Sequence, residues 1–140
     1  MNKKEYRCHK IAEGVASGKA LISHDDICFY MIEPTTGIVI EKGHHLEGQS
    51  VAGSVLIFPG GKGSSVVQAD GLYQLQLHGN APMAMVLQHA DTVIVASAIV
   101  IGIPVVSKLP DSFYEELAPD SFVQINADEN KVLVERRKNG

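Results

Sequence analysis

The residues best suited to chemistry lie in one stretch, Ile57-Phe58-Pro59-Gly60-Gly61-Lys62-Gly63-Ser64-Ser65. Here two hydroxyls and one ammonium sit among glycines. Glycine turns sharply and leaves backbone N–H groups uncovered. A helical pattern follows, so the positive end of a helix points back into the loop. Together these make an anion site with hydroxyls beside it. Nucleotide motifs do not fit. A P-loop needs Gly-Lys followed by Ser or Thr, and Lys62 is followed by Gly63. A dinucleotide fingerprint from Gly61 needs a third Gly or Ala where Val66 stands. Ser64 and Ser65 carry two readings. Either can cap the helix. Either can instead present a hydroxyl whose alkoxide the dipole and free N–H groups favour, as nucleophile or base. No Gly-x-Ser-x-Gly elbow surrounds them, which argues against a hydrolase. Lys62 holds a phosphate or carboxylate, or is simply solvated.

The other polar residues offer less. Six histidines are present, His9, His24, His44, His45, His78 and His89. None has a histidine four positions away or a close cysteine, so no metal site is expected. His44 and His45 are adjacent and would point to opposite faces of a strand; one of them lining a cleft is the better reading. Asp25-Asp26 and Asp128-Glu129 read as solvated turns. Met83 and Met85 alternate and read as core. Cys8 and Cys28 are too few for a disulfide framework or a zinc site.

These residues must be held by an α/β framework. The first half predicts strands over 7–15 and 19–23 around a Ser17-Gly18 turn, then a third apolar run over 28–32. Glu33-Pro34-Thr35-Thr36-Gly37 is a turn, because proline fixes φ and glycine tolerates positive φ. A strand returns over 38–41, and 43–53 reads as a polar surface loop. The second half alternates: strand 54–58, helix from Ser64 or Ser65 to about His78, strand 83–87, helix 92–101 capped by Asp91, strand 104–107. The first helix should bury Val66, Ala69, Tyr73 and Leu77, with Gly71 weakening it by about 1 kcal/mol. Gly79 and Gly102 stop the two helices. Ser112-Phe113-Tyr114-Glu115 has capping-box spacing for a short helix ending near Leu117. A hairpin of 122–125 and 131–135 follows, with 136–140 as a loose tail. The pattern predicts a layered α/β domain whose glycine loop sits at the carboxyl end of a sheet strand, where open α/β folds place ligands.

The 140 residues fit one domain, 45% hydrophobic and 20% charged, as in ordinary soluble globules. The net charge of −4 argues against nucleic acid as a partner. No apolar run spans a bilayer, and no signal core follows the first residues, so a cytoplasmic setting is expected.

Six blocks then carry a resemblance: Gly18-Lys19-Ala20-Leu21, Pro34-Thr35-Thr36-Gly37, Gly48-Gln49-Ser50-Val51-Ala52-Gly53, Phe58 to Ser65, Asn80-Ala81-Pro82 and Ile103-Pro104-Val105-Val106. In this order they resemble the small, swivel-domain subunit of the aconitase X family, from about Gly18 to Glu135. The resemblance implies a single swivelling β/β/α domain, like the mobile domain of aconitases. It implies a hydro-lyase that acts on a small hydroxy acid and is inactive without a large subunit, its partner in a heterodimer. That partner would carry an iron–sulfur cluster or a single iron, with no cofactor in this chain. One branch of the family dehydrates phosphomevalonate in the archaeal-type mevalonate pathway of isoprenoid biosynthesis, another cis-3-hydroxy-L-proline. A swivel module that binds without chemistry is the alternative. By the resemblance Ser64 is the proton acceptor. The chemistry of the loop itself makes Lys62 and the N–H groups of Gly63 and Ser65 the groups that stabilise that serine or bind a substrate anion. Two stretches differ from the family's pattern: Tyr30-Met31 where members carry Gly-Gly, and Val66-Val67-Gln68-Ala69-Asp70 after the serines.

Overall fold

In the computed structural model, residues 3–135 apart from Ala90 are described. Among them eight strands join in the order β1-β8-β7-β3-β4-β5-β6-β2. They are β1 (Lys3–Arg7), β2 (His9–Ala12), β3 (Val15–Ile22), β4 (Val55–Phe58), β5 (Ala84–Leu87), β6 (Val105–Ser107), β7 (Phe122–Asn126) and β8 (Lys131–Glu135). The helices are α1 (Ser65–Leu77), α2 (Thr92–Ile101) and α3 (Asp111–Glu116). Strands β3 to β6 run parallel, and the remaining pairings are antiparallel.

Alternation along the parallel strands builds three layers, because successive side chains leave opposite faces. Leu56, Phe58, Met85, Leu87 and Val105 point to one core, shared with Leu72 and Leu75 of α1 and Ile94 and Ala98 of α2. Val55, Ile57, Ala84, Val86 and Val106 point to the other, shared with Val123 and Ile125 of β7, Val132 and Val134 of β8, and Phe113 of α3. The order is sheet on sheet on helices, the β/β/α arrangement. Strand β3 belongs to both sheets: Val15–Lys19 pair with β7, and Ala20–Ile22 pair with β4. Strands β1 and β2 are separated only by Cys8 yet lie at opposite ends of the strand order. One bent strand therefore supplies both edges.

Several expectations are corrected. Ser17 and Gly18 form no turn; both lie inside β3. Gly18 is there because a Cβ would lie 2.8 Å from the Gly53 carbonyl. The expected 7–15 strand is broken at Cys8, and its N-terminal part, β1, starts earlier. Residues 28–32 hold a one-turn 3-10 helix, Phe29–Met31, rather than a strand. Residues 38–41 make only isolated bridges, Ile32 to Val39 and Ile38 to Ser50. The 43–53 loop is not all surface: His44, Leu46 and Val51 are buried. Met83 is exposed, whereas Met85 is core. The capping box does not form, since Pro110 is the N-cap of α3 and Ser112 is already helical. The tail 136–140 lies outside the described residues.

The largest correction concerns α1. Its limits agree with the caps, but its buried residues are Gln68, Gly71, Leu72 and Leu75. Val66, Tyr73 and Leu77 are exposed. The helix is rolled so that Gly71 lies on the 3-10 turn, where a Cβ would come within 2.5 Å of the Phe29 carbonyl carbon. Close backbone approach overrode the apolar stripe.

Candidate active site

The glycine loop leaves the carboxyl end of β4 and is fixed by backbone bonds from three directions. His89 N–H donates to the Pro59 carbonyl (2.9 Å), extending the pairing of β4 with β5. Ile27 N–H donates to the Gly60 carbonyl (2.9 Å), and Lys62 N–H donates back to the Ile27 carbonyl (3.1 Å). Gly61 N–H donates to Asp91 Oδ2 (3.2 Å), while Asp91 Oδ1 accepts from Val93 and Ile94 N–H at the start of α2. The buried Gln68 of α1 completes the frame. Its Nε2 donates to the Ile27 carbonyl (3.0 Å), and its Oε1 accepts from Phe29 N–H (2.6 Å). Gly61 has no room for a side chain, since a Cβ would lie 2.5 Å from Gln68 Nε2 and 2.9 Å from Asp91 Oδ2.

Past this frame the chain turns through Gly63, with φ of +109° and only 3.3 Å from an ideal Cβ to Cys28 Sγ. A side chain there would be both strained and crowded. Ser64 is extended and caps α1, its Oγ accepting from Val67 N–H at 3.4 Å. Ser65 is the first helical residue and makes no cap. Both serines are exposed. Among the described residues, nothing accepts from the N–H groups of Gly63, Ser64, Ser65 or Val66. Those of Ser64, Ser65 and Val66 are orphans of the first helical turn, Gly63 precedes it, and all four residues are exposed.

Lys62 points to Glu41, with Nζ 2.5 Å from Oε2. That hydrogen bond, with the Coulombic pull of Glu41, Asp25 and Cys28, holds the ammonium above its ordinary range. The loop spanning 43–53 arrives at the same edge. His45 N–H donates to Asp25 Oδ2 (2.9 Å), and His24 N–H donates to His45 Nδ1 (3.1 Å), with the two rings 4.4 Å apart. His44 is buried and structural. Its Nδ1 accepts from Leu46 N–H, so its proton sits on Nε2 and goes to the Asp26 carbonyl at 2.9 Å. His45, not His44, borders a cavity of about 660 Å³ at this end of the sheet, with His24, Pro59, Gln88 and Tyr114.

The structure thus brings Lys62, Gly63, Ser64 and Ser65 together on one rim. Glu41, Asp91, Gln68 and Cys28 join them and were not assigned to the site from sequence. Asp91 was legible as a cap, and its second oxygen was not. Gln68 left one signal, a buried amide amid the apolar residues of α1. Among the described residues no group of three or more His, Cys, Asp or Glu is placed to hold a metal ion. The described residues therefore offer no ligand set for an iron–sulfur cluster or iron. No helix among the described residues is long and apolar enough to cross a membrane.

Comparison with known proteins gives consistent likenesses. A family model described as the aconitase X swivel domain matches residues 5–134. The phosphomevalonate dehydratase small subunit of Methanocella arvoryzae is 44% identical over 119 residues, covering 84% of this chain and 89% of that protein. Its counterpart from Methanosarcina acetivorans is 42% identical over 123 residues, covering 87% and 85%. The crystal structure of Thermococcus kodakaraensis aconitase X in its holo form matches with a TM-score of 0.86 at 32% identity, covering 95% of this chain and 99% of that one.

Proposed function

The chain belongs to the aconitase X swivel-domain family, and we propose that it is the small subunit of a dehydratase acting on phosphomevalonate, with Ser64 as proton acceptor. The observation that carries this reading is the exposed Ser64 hydroxyl at the end of a rigidly framed glycine loop and the start of α1.

Dehydration removes a proton from one carbon and hydroxide from its neighbour. A serine hydroxyl is a poor base in water, so its alkoxide must be favoured by its surroundings. The Val67 N–H already directed at Ser64 Oγ shortens its bond as negative charge gathers there. The dipole of α1 acts in the same sense. As the alkoxide, Ser64 takes the carbon-bound proton and becomes the neutral hydroxyl. The free N–H groups of Gly63 and Ser65 suit an anionic group of the substrate, and Lys62 joins them if that anion displaces Glu41. Water excluded by closure of the domain strengthens each of these interactions.

Loss of hydroxide belongs to the partner's share of the site. The partner would be a larger subunit supplying an iron–sulfur cluster or iron, for which the described residues of this chain offer no ligand set. The helical layer supports such an assembly. Helix α2 bears no charged side chain, and Val66, Ile99 and Val100 are 77%, 61% and 80% exposed. These exposed apolar side chains on the helical layer support contact with another protein there. A cis-3-hydroxy-L-proline dehydratase would use the same Ser64 chemistry, and comparing the two substrates in one assay separates them.

The test is turnover in the complex reconstituted with the larger subunit. Ser64→Ala should bind that subunit and lose at least about 10²-fold in kcat, the low end for a positioned acid or base. Ser65→Ala should lose less. Normal turnover by Ser64→Ala with a dead Ser65→Ala would move the role to Ser65, and normal turnover by both would remove the loop from the chemistry.

A further inference from the structure

We infer that Asp91 is a positioning residue for the Ser64 hydroxyl, an inference that rests on the reading of Ser64 as proton acceptor. Asp91 lies on another helix and divides its two oxygens between two tasks. Oδ1 caps α2 through Val93 N–H (3.0 Å) and Ile94 N–H (3.1 Å). Oδ2 reaches out of the helix and accepts from Gly61 N–H (3.2 Å). One cap oxygen is enough for a helix. The second serves the glycine loop, three residues before Ser64. Gly61 is further confined by Gln68 Nε2 and Ile94 Cδ1, either of which would crowd a side chain there. The loop is therefore fixed on one side by the backbone of Ile27 and on the other by a side chain from the start of α2.

This bears on the reaction because proton transfer depends on position. A displacement of about 1 Å in a reacting group can cost on the order of 10²-fold in rate. Gly60, Gly61 and Gly63 supply a flexible backbone, and flexibility works against a positioned base unless something opposes it. Asp91 opposes it with a carboxylate, whose hydrogen bond to an N–H is stronger than a neutral one. It does so without touching the substrate rim.

The two tasks can be separated by substitution. Asp91→Ser keeps a hydroxyl able to cap α2 but has no second oxygen to reach Gly61. Amide hydrogen exchange of this variant, followed residue by residue in the isolated chain, should show Gly61 exchanging about 10-fold faster with α2 and the thermal midpoint unchanged. In the reconstituted complex kcat should fall at least about 10-fold while KM stays within about 2-fold. Asp91→Asn, which retains one oxygen acceptor, is the second variant and should fall between the wild type and Asp91→Ser. Unchanged exchange at Gly61 in Asp91→Ser would overturn the inference. So would a loosened loop with full kcat, provided Ser64→Ala is dead in the same assay. Full turnover by Ser64→Ala sinks the functional reading instead, and with it the role of Asp91 in catalysis, while the exchange measurement still decides whether Asp91 holds the loop.

Discussion

At the scale of single residues, Ser64 caps α1 and is also the residue proposed as proton acceptor, and Tyr114 carries a hydroxyl with no partner among the described residues. Because Ser64 and not Ser65 caps α1, Ser64→Ala should also lower stability by ~1 kcal/mol, and Ser65→Ala should leave it nearly unchanged. Denaturant titration of both variants checks this, and equal losses would contradict the cap. The Tyr114 hydroxyl is buried with no hydrogen-bond partner among the described residues, and burial pushes its pKa up to about 12. A tyrosine in the unfolded chain ionises near 10, so the unfolded state releases its proton first. Stability should therefore fall as pH rises from about 10 toward 12. Tyr114→Phe should remove that part of the alkaline loss and, at neutral pH, raise stability by about 1 kcal/mol by deleting an orphaned polar group. Ultraviolet titration of tyrosinate and melts at both pH values test it; a destabilised Phe variant would mean the hydroxyl has a partner in solution. The caps Ser64 and Asp91 were legible because capping is local. Glu41 beside Lys62 and Cys28 beside Gly63 were not, since they arrive from segments far away in the chain.

At the scale of elements, Gly71 shows where local rules stop. In an isolated helix glycine costs about 1 kcal/mol against alanine. Here a Cβ would meet backbone atoms of Phe29 and Tyr30 at 2.5 to 2.8 Å. Overpacking of that kind costs about 1–3 kcal/mol and strikes backbone, which moves less easily than a side-chain tip. Gly71→Ala should therefore lower the thermal midpoint and expose the 3-10 turn to faster exchange; a raised midpoint would show that the turn can shift. The same contact explains the misread face of α1. Spacing alone favoured Val66, Ala69, Tyr73 and Leu77, but the roll of the helix follows the 3-10 turn and the Gln68 frame. The ends of α1 and α2 were readable from Ser64, Gly79, Asp91 and Gly102. The long β3 was not, because Gly18 has turn chemistry and is needed for close approach of Gly53 instead.

At the scale of the whole molecule, the two loops that flank β4 share one edge with the segment around Asp25 and Asp26. Lys62 pairs with Glu41, and His44 and His45 bond to Asp26 and Asp25. Binding of the larger subunit should slow amide exchange in both 59–66 and 43–53, and unchanged exchange in both would place the contact elsewhere. The layered α/β class was readable from the alternation of strands and helices after Ser54, while the β/β/α order of its layers came from the family resemblance. The split of β3 between two sheets was not, since nothing local distinguishes Val15–Lys19 from Ala20–Ile22. The bent strand at Cys8 sets the order in which the chain can fold. Lys3 pairs with Glu135 and Arg7 with Lys131, whereas His9 pairs with Ser107. Strand β1 thus has no sheet neighbour until β8 has been made, and β2 none until β6. The parallel unit of β4, β5 and β6 with its helices can assemble early and take in Ala20–Ile22 of β3, but β1 must wait for β8 and Val15–Lys19 of β3 for β7. Contacts so distant in sequence slow folding, and the pairing of β1 with β8 comes last, joining strands near the two ends of the described residues.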